Sequence, residues 1–393
     1  MAMSLKNLGY TRIVIFEKTN RVGGKSYDIP YDGAYLPLGT VFGDANYRRP
    51  GNYLPLANKY GHGGTIPVFP SAEWRWVPGT ANFTKFSSTD GLFSSVAELA
   101  NVPIQEAPLV LIQTLKKYVE IHDEMFGRYR GYLMPQPDWQ TIWRCRGTYK
   151  DFLVREGLTA MIPLLIITNE LQGYGYLDEV SALYGLMWQN TIMMASLALS
   201  TLGDPNPDFK PFITENGYES LWETIVRVEN LDVRYKTGII SVSRQRWWST
   251  KHSLRLITQQ NLKRKSEACE FLIWTPEMRI LLNALKRPSS MERRYFEKLS
   301  LSFIFTANLV SIKNEVRNGP YIVHSTSLKD KIPGGVVGSG DIIGLRIPNI
   351  SLPSVLEKYN DVTDERTLLR IVQLNRANAL PTNRKLNQQV CKS

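Results

Sequence analysis

The sequence contains little cysteine and little histidine, and this scarcity excludes several kinds of site. Its 393 residues include three cysteines, Cys145, Cys269 and Cys391, and four histidines. The cysteines are widely separated, and none has a cysteine or histidine partner at metal-ligand spacing, so neither a disulfide framework nor a zinc site is predicted. We therefore expect a reducing compartment, with the cytoplasm as the default location.

Apolar runs of membrane length are also scarce. Residues 1–8 lack the charged start and the long apolar region of a secretory signal. One uncharged stretch, residues 180–203, is long enough to cross a bilayer, but it contains Gln189, Asn190, Thr191 and several serines. This composition favours a helix buried inside a protein, and we expect no membrane span.

The chain is basic, but its positive charge is not concentrated. The formal net charge is +11, and the densest basic run extends only from Lys263 to Lys265. Scattered cations favour a solvated basic surface or a site for acidic groups and phosphates, so we predict no nucleic-acid partner. With 43% hydrophobic and 21% charged residues, the chain can bury a large core in one composite or two ordinary domains.

The opening of the sequence has the pattern of part of a nucleotide-binding unit. Apolar residues up to Leu8, then Gly9 and the apolar run 12–16, predict a helix end, a glycine cap and a buried parallel-type strand. Glu17 follows, and an acid in that position accepts hydrogen bonds from the hydroxyls of a ribose. The glycine turn of such a unit lies about 20 residues before the acid. We therefore expect the chain to begin inside the helix whose N-terminus faces the pyrophosphate.

The segment Glu17-Lys-Thr-Asn-Arg-Val-Gly-Gly-Lys-Ser26 resembles the second half of the FAD fingerprint of the flavin amine oxidase superfamily. In that fingerprint an acid is followed by an Arg-x-Gly-Gly-Arg/Lys loop. The resemblance implies that Arg21 and Lys25 supply charge to the diphosphate and that the paired glycines bring backbone amides close to the cofactor. The implied FAD-binding residues of this segment are Glu17, Lys18, Arg21, Gly23, Gly24 and Lys25.

Two further segments extend the resemblance on either side of a long insertion. Leu38-Gly39-Thr40 matches the segment that approaches the isoalloxazine ring, so Gly39 and Thr40 join the implied FAD-binding residues. Phe271 to Pro276 resembles the strand that returns the chain to the substrate domain.

The segment from Thr214 to Leu221 resembles the family's glycine turn before a helix. We predict that helix at Glu219 to Val228, with Leu221 and Ile225 directed inward. Residues 232–242 resemble the strand pair that follows it, and by this resemblance the backbone of Ile239 meets the adenine.

The predicted fold class is α/β: an incomplete FAD/NAD(P)-binding Rossmann-like domain with an inserted, mainly helical α+β substrate domain. The insertion is inferred from helical patterns between Ser95 and about Thr201. We place the FAD-binding domain at residues 1–45 and 212–285, the substrate domain at 46–211 and 286–345, and a C-terminal helix and basic tail at 346–393. Within the last two parts we predict a surface loop at Gly338 to Gly344 and a helix at Glu357 to Val372.

The resemblance implies an FAD-dependent oxidoreductase that transfers hydride from a C–H bond beside an amine, or from another activated carbon, to flavin N5. The Gly-Gly-Lys form of the loop is also similar to the branch of flavin-dependent isomerases that move double bonds in polyunsaturated fatty acids. A third hypothesis is a non-catalytic binding protein without FAD. We expect a small-molecule substrate, an amine or a fatty acid, and no metal; the sequence identifies no catalytic residue.

Overall fold

The structure is a computed structural model of the chain. It describes residues 1–31, 34–37, 40, 42–49, 51–67, 72–76, 83–127, 136–169, 176–206, 208, 210–244, 254–297, 303–310, 321–324, 341–346 and 368–375. The contacts divide the chain into two compact units. The first unit comprises Met1–Tyr27 and Tyr218–Leu301, and the second unit comprises Asp28–Gly217 and Ser302–Ser393.

Helices dominate the middle of the chain, and most of the strands lie before or after them. In chain order the elements are α1 (Ala2–Asn7), β1 (Val14–Phe16), β2 (Asp28–Tyr31), β3 (Ala34–Pro37), α2 (Tyr53–Lys59), β4 (Thr65–Pro67), β5 (Ala72–Trp76), β6 (Phe83–Ser87), α3 (Ser88–Ala100), α4 (Ala107–Phe126), α5 (Trp139–Arg144), α6 (Tyr149–Arg155), α7 (Ile162–Asn169), α8 (Ala182–Trp188), α9 (Thr191–Thr201), β7 (Phe212–Thr214), α10 (Glu219–Val228), β8 (Asp232–Arg234), β9 (Thr237–Arg244), β10 (Leu254–Gln260), β11 (Lys263–Cys269), α11 (Met278–Ala284), α12 (Ser290–Glu297), β12 (Phe303–Val310), β13 (Tyr321–His324), β14 (Asp341–Arg346) and β15 (Leu368–Asn375).

Two small sheets form the frame of the first unit. Strand β1 pairs in parallel with β8, with Val14 opposite Asp232 and Phe16 opposite Arg234, which confirms the predicted parallel strand. Strands β9, β10 and β11 form an antiparallel meander. Strand β1 is less buried than predicted, because Val14 remains 36% exposed.

Helix α10 begins and ends at the predicted residues. Leu221 and Ile225 are buried, four positions apart on one face, so the helix is amphipathic as its sequence predicts. A buried cluster, formed by the meander and the end of α11, completes the core of this unit: Val242, Leu256, Ala284 and Leu285. Burying a large aliphatic side chain of this kind contributes about 1.5–3 kcal/mol relative to leaving it in water.

The predicted strand at Phe271 to Trp274 is wrong. These residues belong to no strand of the described part of the chain, and Phe271 and Ile273 are 76% and 49% exposed. The apolar composition of the run suggested a buried strand, but a strand also needs a neighbour to pair with its backbone. None of the described strands provides that ladder for this segment.

The second unit contains a helical core that buries large apolar and aromatic side chains. Its largest fully buried side chains include Tyr118 of α4 and Tyr149 and Phe152 of α6. The Tyr118 hydroxyl lies 3.2 Å from that of Tyr149 and donates to the carbonyl of Gln189 at 2.5 Å. These bonds satisfy hydroxyls that burial would otherwise leave unpaired at a cost of about 1–3 kcal/mol each.

The uncharged stretch 180–203 is divided between two helices, α8 and α9. The two helices are separate because Asn190 caps the N-terminus of α9. Its Oδ1 accepts hydrogen bonds from the backbone N–H groups of Ile192 and Met193. Among the described residues, no helix combines the length and the apolar composition that crossing a membrane requires.

The strands of the second unit correct two predictions. They form a six-stranded sheet in the order β12-β15-β14-β13-β5-β6 and two pairs, β2 with β3 and β4 with β7. Residues 368–372, predicted as the end of a helix, belong to strand β15, and residues 341–344, predicted as part of a loop, belong to β14. Short apolar runs do not distinguish helix from strand by periodicity, and here pairing with neighbouring strands decides the outcome. The predicted basic tail, residues 378–393, lies outside the described residues.

Candidate cofactor site

Glu17 stands at the end of β1, and its backbone and side chain are both held in place. Its N–H donates to the carbonyl of Arg234 at 3.0 Å, and its own carbonyl accepts from Thr237 N–H at 2.8 Å. Its carboxylate Oε1 accepts from the backbone N–H and the hydroxyl of Thr19, at 2.6 and 2.7 Å. Among the described residues none donates a hydrogen bond to Glu17 Oε2, so this oxygen can accept one from a ligand.

Two glycines shape the loop that follows. Gly23 has φ +104° and Gly24 has φ +57°, backbone conformations that residues other than glycine rarely adopt. Both glycines lie in a turn of residues 23–26, in which Ser26 N–H donates to the Gly23 carbonyl at 2.9 Å. A Cβ at Gly23 would lie 2.8 Å from the Ser26 carbonyl oxygen and 3.3 Å from Trp222 Cδ1, so the fold requires glycine here. A Cβ at Gly24 would have nothing within 4 Å, so this side of the loop is open.

The Arg21 guanidinium stabilises the loop through hydrogen bonds to Glu219 and to the loop backbone. Its Nη1 donates to Glu219 Oε1 at 3.0 Å, and its Nη2 donates to the Gly24 carbonyl at 2.6 Å. The guanidinium also lies 4.0 Å from the ring centroid of Tyr27. With side-chain exposures of 24% for Arg21 and 11% for Glu219, this is a partly buried ion pair with hydrogen bonds on both sides.

Glu219 connects the loop to helix α10. It is buried and occupies the first turn of the helix, where a negative charge interacts favourably with the helix dipole. Glu219, Thr19 and Tyr27 were not predicted from the sequence as parts of the site. An acid at the first helical position after the Asn-Gly turn, at residues 216–217, was the available signal for Glu219.

The remaining predicted residues are distributed over both units. Lys18 and Lys25 are exposed beside the loop. Ile239 lies on β9, opposite Thr258, and its side chain packs against the buried cluster of the first unit. Thr40 is partly buried in the second unit, and Gly39 lies outside the described residues.

The first unit thus brings together Glu17, Arg21, Gly23 and Gly24, with two exposed lysines beside them. The second carboxylate oxygen of Glu17 suits a ribose hydroxyl, and an open glycine surface lets a ligand approach the backbone closely. These features of the described residues fit the adenosine and diphosphate part of FAD. The ion pair of Arg21 with Glu219 holds the loop in that form.

The comparisons with known proteins show the fold. No protein-family model matches the sequence, and no curated protein sequence matches it either. Among solved structures, a CLA-producing fatty acid isomerase from P. acnes is similar with a TM-score of 0.62 and 16% identity, over 96% of this chain and 74% of that chain. Putrescine oxidase bound to putrescine is similar with a TM-score of 0.59 and 12% identity, over 96% of this chain and 73% of that chain.

An oxidoreductase from Methanosarcina mazei is also similar, with a TM-score of 0.55 and 13% identity, over the whole of this chain and 79% of that chain. The likeness to these three structures is one of fold. The chain shares the α/β fold of these oxidase, oxidoreductase and isomerase structures, in agreement with the fold class that the sequence predicts.

Proposed function

We propose that the chain is an FAD-dependent oxidoreductase of the amine oxidase type, which takes hydride from an activated C–H bond of a small-molecule substrate. The observation that supports the proposal most is the loop from Glu17 to Ser26 at the end of a parallel strand. Its carboxylate, its two left-handed glycines and its internal Arg21–Glu219 ion pair form an arrangement suited to a dinucleotide.

Each residue of the loop has a proposed task in binding. Glu17 accepts hydrogen bonds from the ribose hydroxyls, and Gly23 and Gly24 let backbone amides reach the diphosphate. Lys18 and Lys25 are exposed and supply positive charge near it. Arg21 acts through the loop, because its guanidinium donates to Glu219 and to three carbonyls of the loop itself.

The rest of the proposed site follows from the resemblance of the sequence. The FAD-binding part takes in residues 1–45 and 212–285, with the backbone of Ile239 at the adenine and Gly39 and Thr40 toward the isoalloxazine ring. The substrate domain takes in residues 46–211 and 286–345. When bound, the flavin supplies the hydride acceptor, and the chain supplies binding, orientation and a pocket from which water is excluded.

Flavin binding by the purified chain tests the proposal. We expect yellow protein that releases flavin on denaturation, or apoprotein that binds added FAD. Glu17→Gln should weaken FAD binding about tenfold or more, because an amide offers one acceptor where the carboxylate offers two and the lost charge-assisted bond contributes about 1.5–3 kcal/mol. Glu223→Gln is the matched control, since Glu223 is an exposed acid on α10 in the same unit.

A colourless protein that binds no added FAD would overturn the proposal and favour the non-catalytic binding protein. Equal FAD affinity of Glu17→Gln and Glu223→Gln would show that Glu17 has no part in binding. Either result is independent of the choice of substrate.

A second candidate function is the isomerisation of double bonds in polyunsaturated fatty acids. The likeness in fold to the fatty acid isomerase from P. acnes, with a TM-score of 0.62, favours it as an alternative. Bleaching of the flavin by amines without oxygen would support the oxidase. The appearance of conjugated-diene absorbance from a polyunsaturated fatty acid, with no net change in the flavin, would support the isomerase.

A further inference from the structure

The positive charge of the chain is concentrated in the first unit. This unit contains 21 of the 47 lysines and arginines and 10 of the 36 acids, so its net charge is +11. The second unit contains the remaining 26 cations and 26 acids and is neutral. Cations that are scattered along the sequence are therefore gathered in one folded unit, and a charge of this size favours a polyanionic partner for it.

An exposed leucine stands at the tip of the hairpin that joins β10 to β11. Gln260 ends β10 and lies opposite Lys263, the first residue of β11, so the connection has two residues, Asn261 and Leu262. Both are left-handed, with φ +47° and +66°. This conformation is that of a type I′ turn, which accepts asparagine at its first position and favours glycine at its second.

Leucine is a poor residue for the second position of this turn. A left-handed backbone is strained for a bulky residue, and strain of this kind is typical of functional sites. Leu262 is also 88% exposed, more than any other large apolar residue in the described part of the chain. It therefore favours neither the turn nor the core, and a contact outside the protein accounts for it best.

Exposed cations follow the tip directly: Lys263, Arg264 and Lys265. A fourth exposed cation, Lys236, lies at the same end of the sheet. It precedes β9, whose first residue pairs with Gln260, and Gln260 Nε2 donates to the carbonyl of Tyr235 at 3.1 Å. The acid of β11, Glu267, is already paired with Arg234 at 2.9 Å. Within the described ranges, none of the four cations at the tip belongs to an ion pair.

We propose that the tip of this hairpin docks on the surface of an anionic phospholipid membrane, with Leu262 among the acyl chains and the four cations at the level of the phosphates. An apolar tip beside lysine and arginine combines burial of apolar surface with attraction to anionic headgroups, the two interactions that hold a protein at such a surface.

Other occupants suit the tip less well. A second copy of the chain would bring a first unit of the same charge, which repels this one. A nucleic acid would use the cations but would leave Leu262 in water, because the phosphate backbone offers it no apolar contact. Membrane docking uses both features, and it requires neither flavin nor substrate.

Co-sedimentation of the full chain with lipid vesicles tests the proposal. The chain should bind vesicles of phosphatidylserine and phosphatidylcholine in about a one-to-two ratio roughly tenfold or more tightly than vesicles of phosphatidylcholine alone. Each cation near an anionic surface strengthens binding by about fivefold, so the four cations are sufficient for this difference. Added salt should weaken the binding, because it screens exposed charges.

Leu262→Gly separates docking from folding. It removes the apolar tip and supplies the residue that the turn favours, so the thermal unfolding midpoint should stay equal or rise. Binding to the mixed vesicles should fall by about tenfold or more, since the whole leucine side chain is available for burial. Leu262→Phe keeps an apolar tip and should retain binding. FAD affinity should be the same in Leu262→Gly and the original chain.

Two further variants assign the effect to this end of the unit. Lys263→Gln combined with Lys265→Gln should weaken binding to the mixed vesicles by about tenfold or more. Met291→Ser is the matched control, because it removes a 69% exposed methionine from α12 of the same unit. Helix α12 contacts the other end of β9 through the ion pair of Glu292 with Arg244, so this variant should bind vesicles unchanged.

Equal binding of the mixed vesicles by Leu262→Gly and the original chain would overturn the proposal, because the charge of the unit alone would then explain the attraction. A lower unfolding midpoint of Leu262→Gly would also overturn it, since the leucine would then stabilise the hairpin. Tighter binding to a single-stranded RNA oligonucleotide than to the vesicles, unaffected by Leu262→Gly, would identify a nucleic-acid surface instead.

Discussion

Gly23→Ala tests whether the loop from Glu17 to Ser26 has the backbone conformation on which the proposed site depends. At φ +104° an alanine is strained, at a cost of about 1–3 kcal/mol. The added Cβ would also lie 2.8 Å from the Ser26 carbonyl oxygen, and overpacking of this kind costs about 1–3 kcal/mol. We expect the free energy of unfolding of the first unit to fall by about 2–6 kcal/mol, the sum of the two costs, with weaker FAD binding.

Gly24→Ala is the matched control because it imposes a left-handed alanine without a clash. Its φ of +57° lies in the region that costs about 1–2 kcal/mol, and no atom lies within 4 Å of the added Cβ. Equilibrium urea unfolding, followed by circular dichroism, and FAD titration compare the two variants. Equal stability and equal FAD affinity of the two alanine variants would refute the reasoning about Gly23.

Three further predictions concern other charges and close contacts. In a double-mutant cycle on unfolding, Arg21→Met and Glu219→Gln should show a coupling of about 1–2 kcal/mol, and additive effects would contradict a clamp. Asp44→Asn should become more stable relative to the original chain as the pH rises from about 4 to above 6, by up to about 3 kcal/mol, because burial raises the folded pKa of Asp44 from 3.8 to about 6 and ionisation then opposes folding. If the difference in stability between Asp44→Asn and the original chain, measured by urea unfolding, does not change with pH, this prediction is wrong. Gly43→Ala should lower the thermal unfolding midpoint markedly, since its Cβ would overlap the Phe212 ring, whereas an unchanged midpoint would mean that the ring can move aside.

Local patterns predicted the parts of the fold that depend on neighbours in sequence. The run ending at Glu17 became a parallel strand, and α10 has the predicted ends, because apolar periodicity and turn residues determine such elements locally. The segment at Phe271 had an equally apolar composition but no partner strand among the described residues. Strand β15 was missed for the converse reason, since its pairing with β12 depends on residues more than 50 positions away.

The same distinction between local and distant residues applies to the candidate site. The residues from Glu17 to Gly24 form one loop because they are contiguous, and their glycines have the left-handed conformations that the motif indicates. The partner of Arg21 was not predictable from the loop, because Glu219 lies 198 positions later and is brought there by the fold.

Hydrogen exchange of the loop amides with and without FAD tests the central claim most directly. We expect added FAD to slow exchange in peptides that cover residues 17–26, because the cofactor would bind over the backbone at Gly23 and Gly24. Peptides of α4, in the second unit, serve as the internal reference. Slowed exchange in residues 17–26, absent in Glu17→Gln at the same FAD concentration, would agree with the proposed site. Unchanged exchange in residues 17–26 at saturating FAD would contradict it.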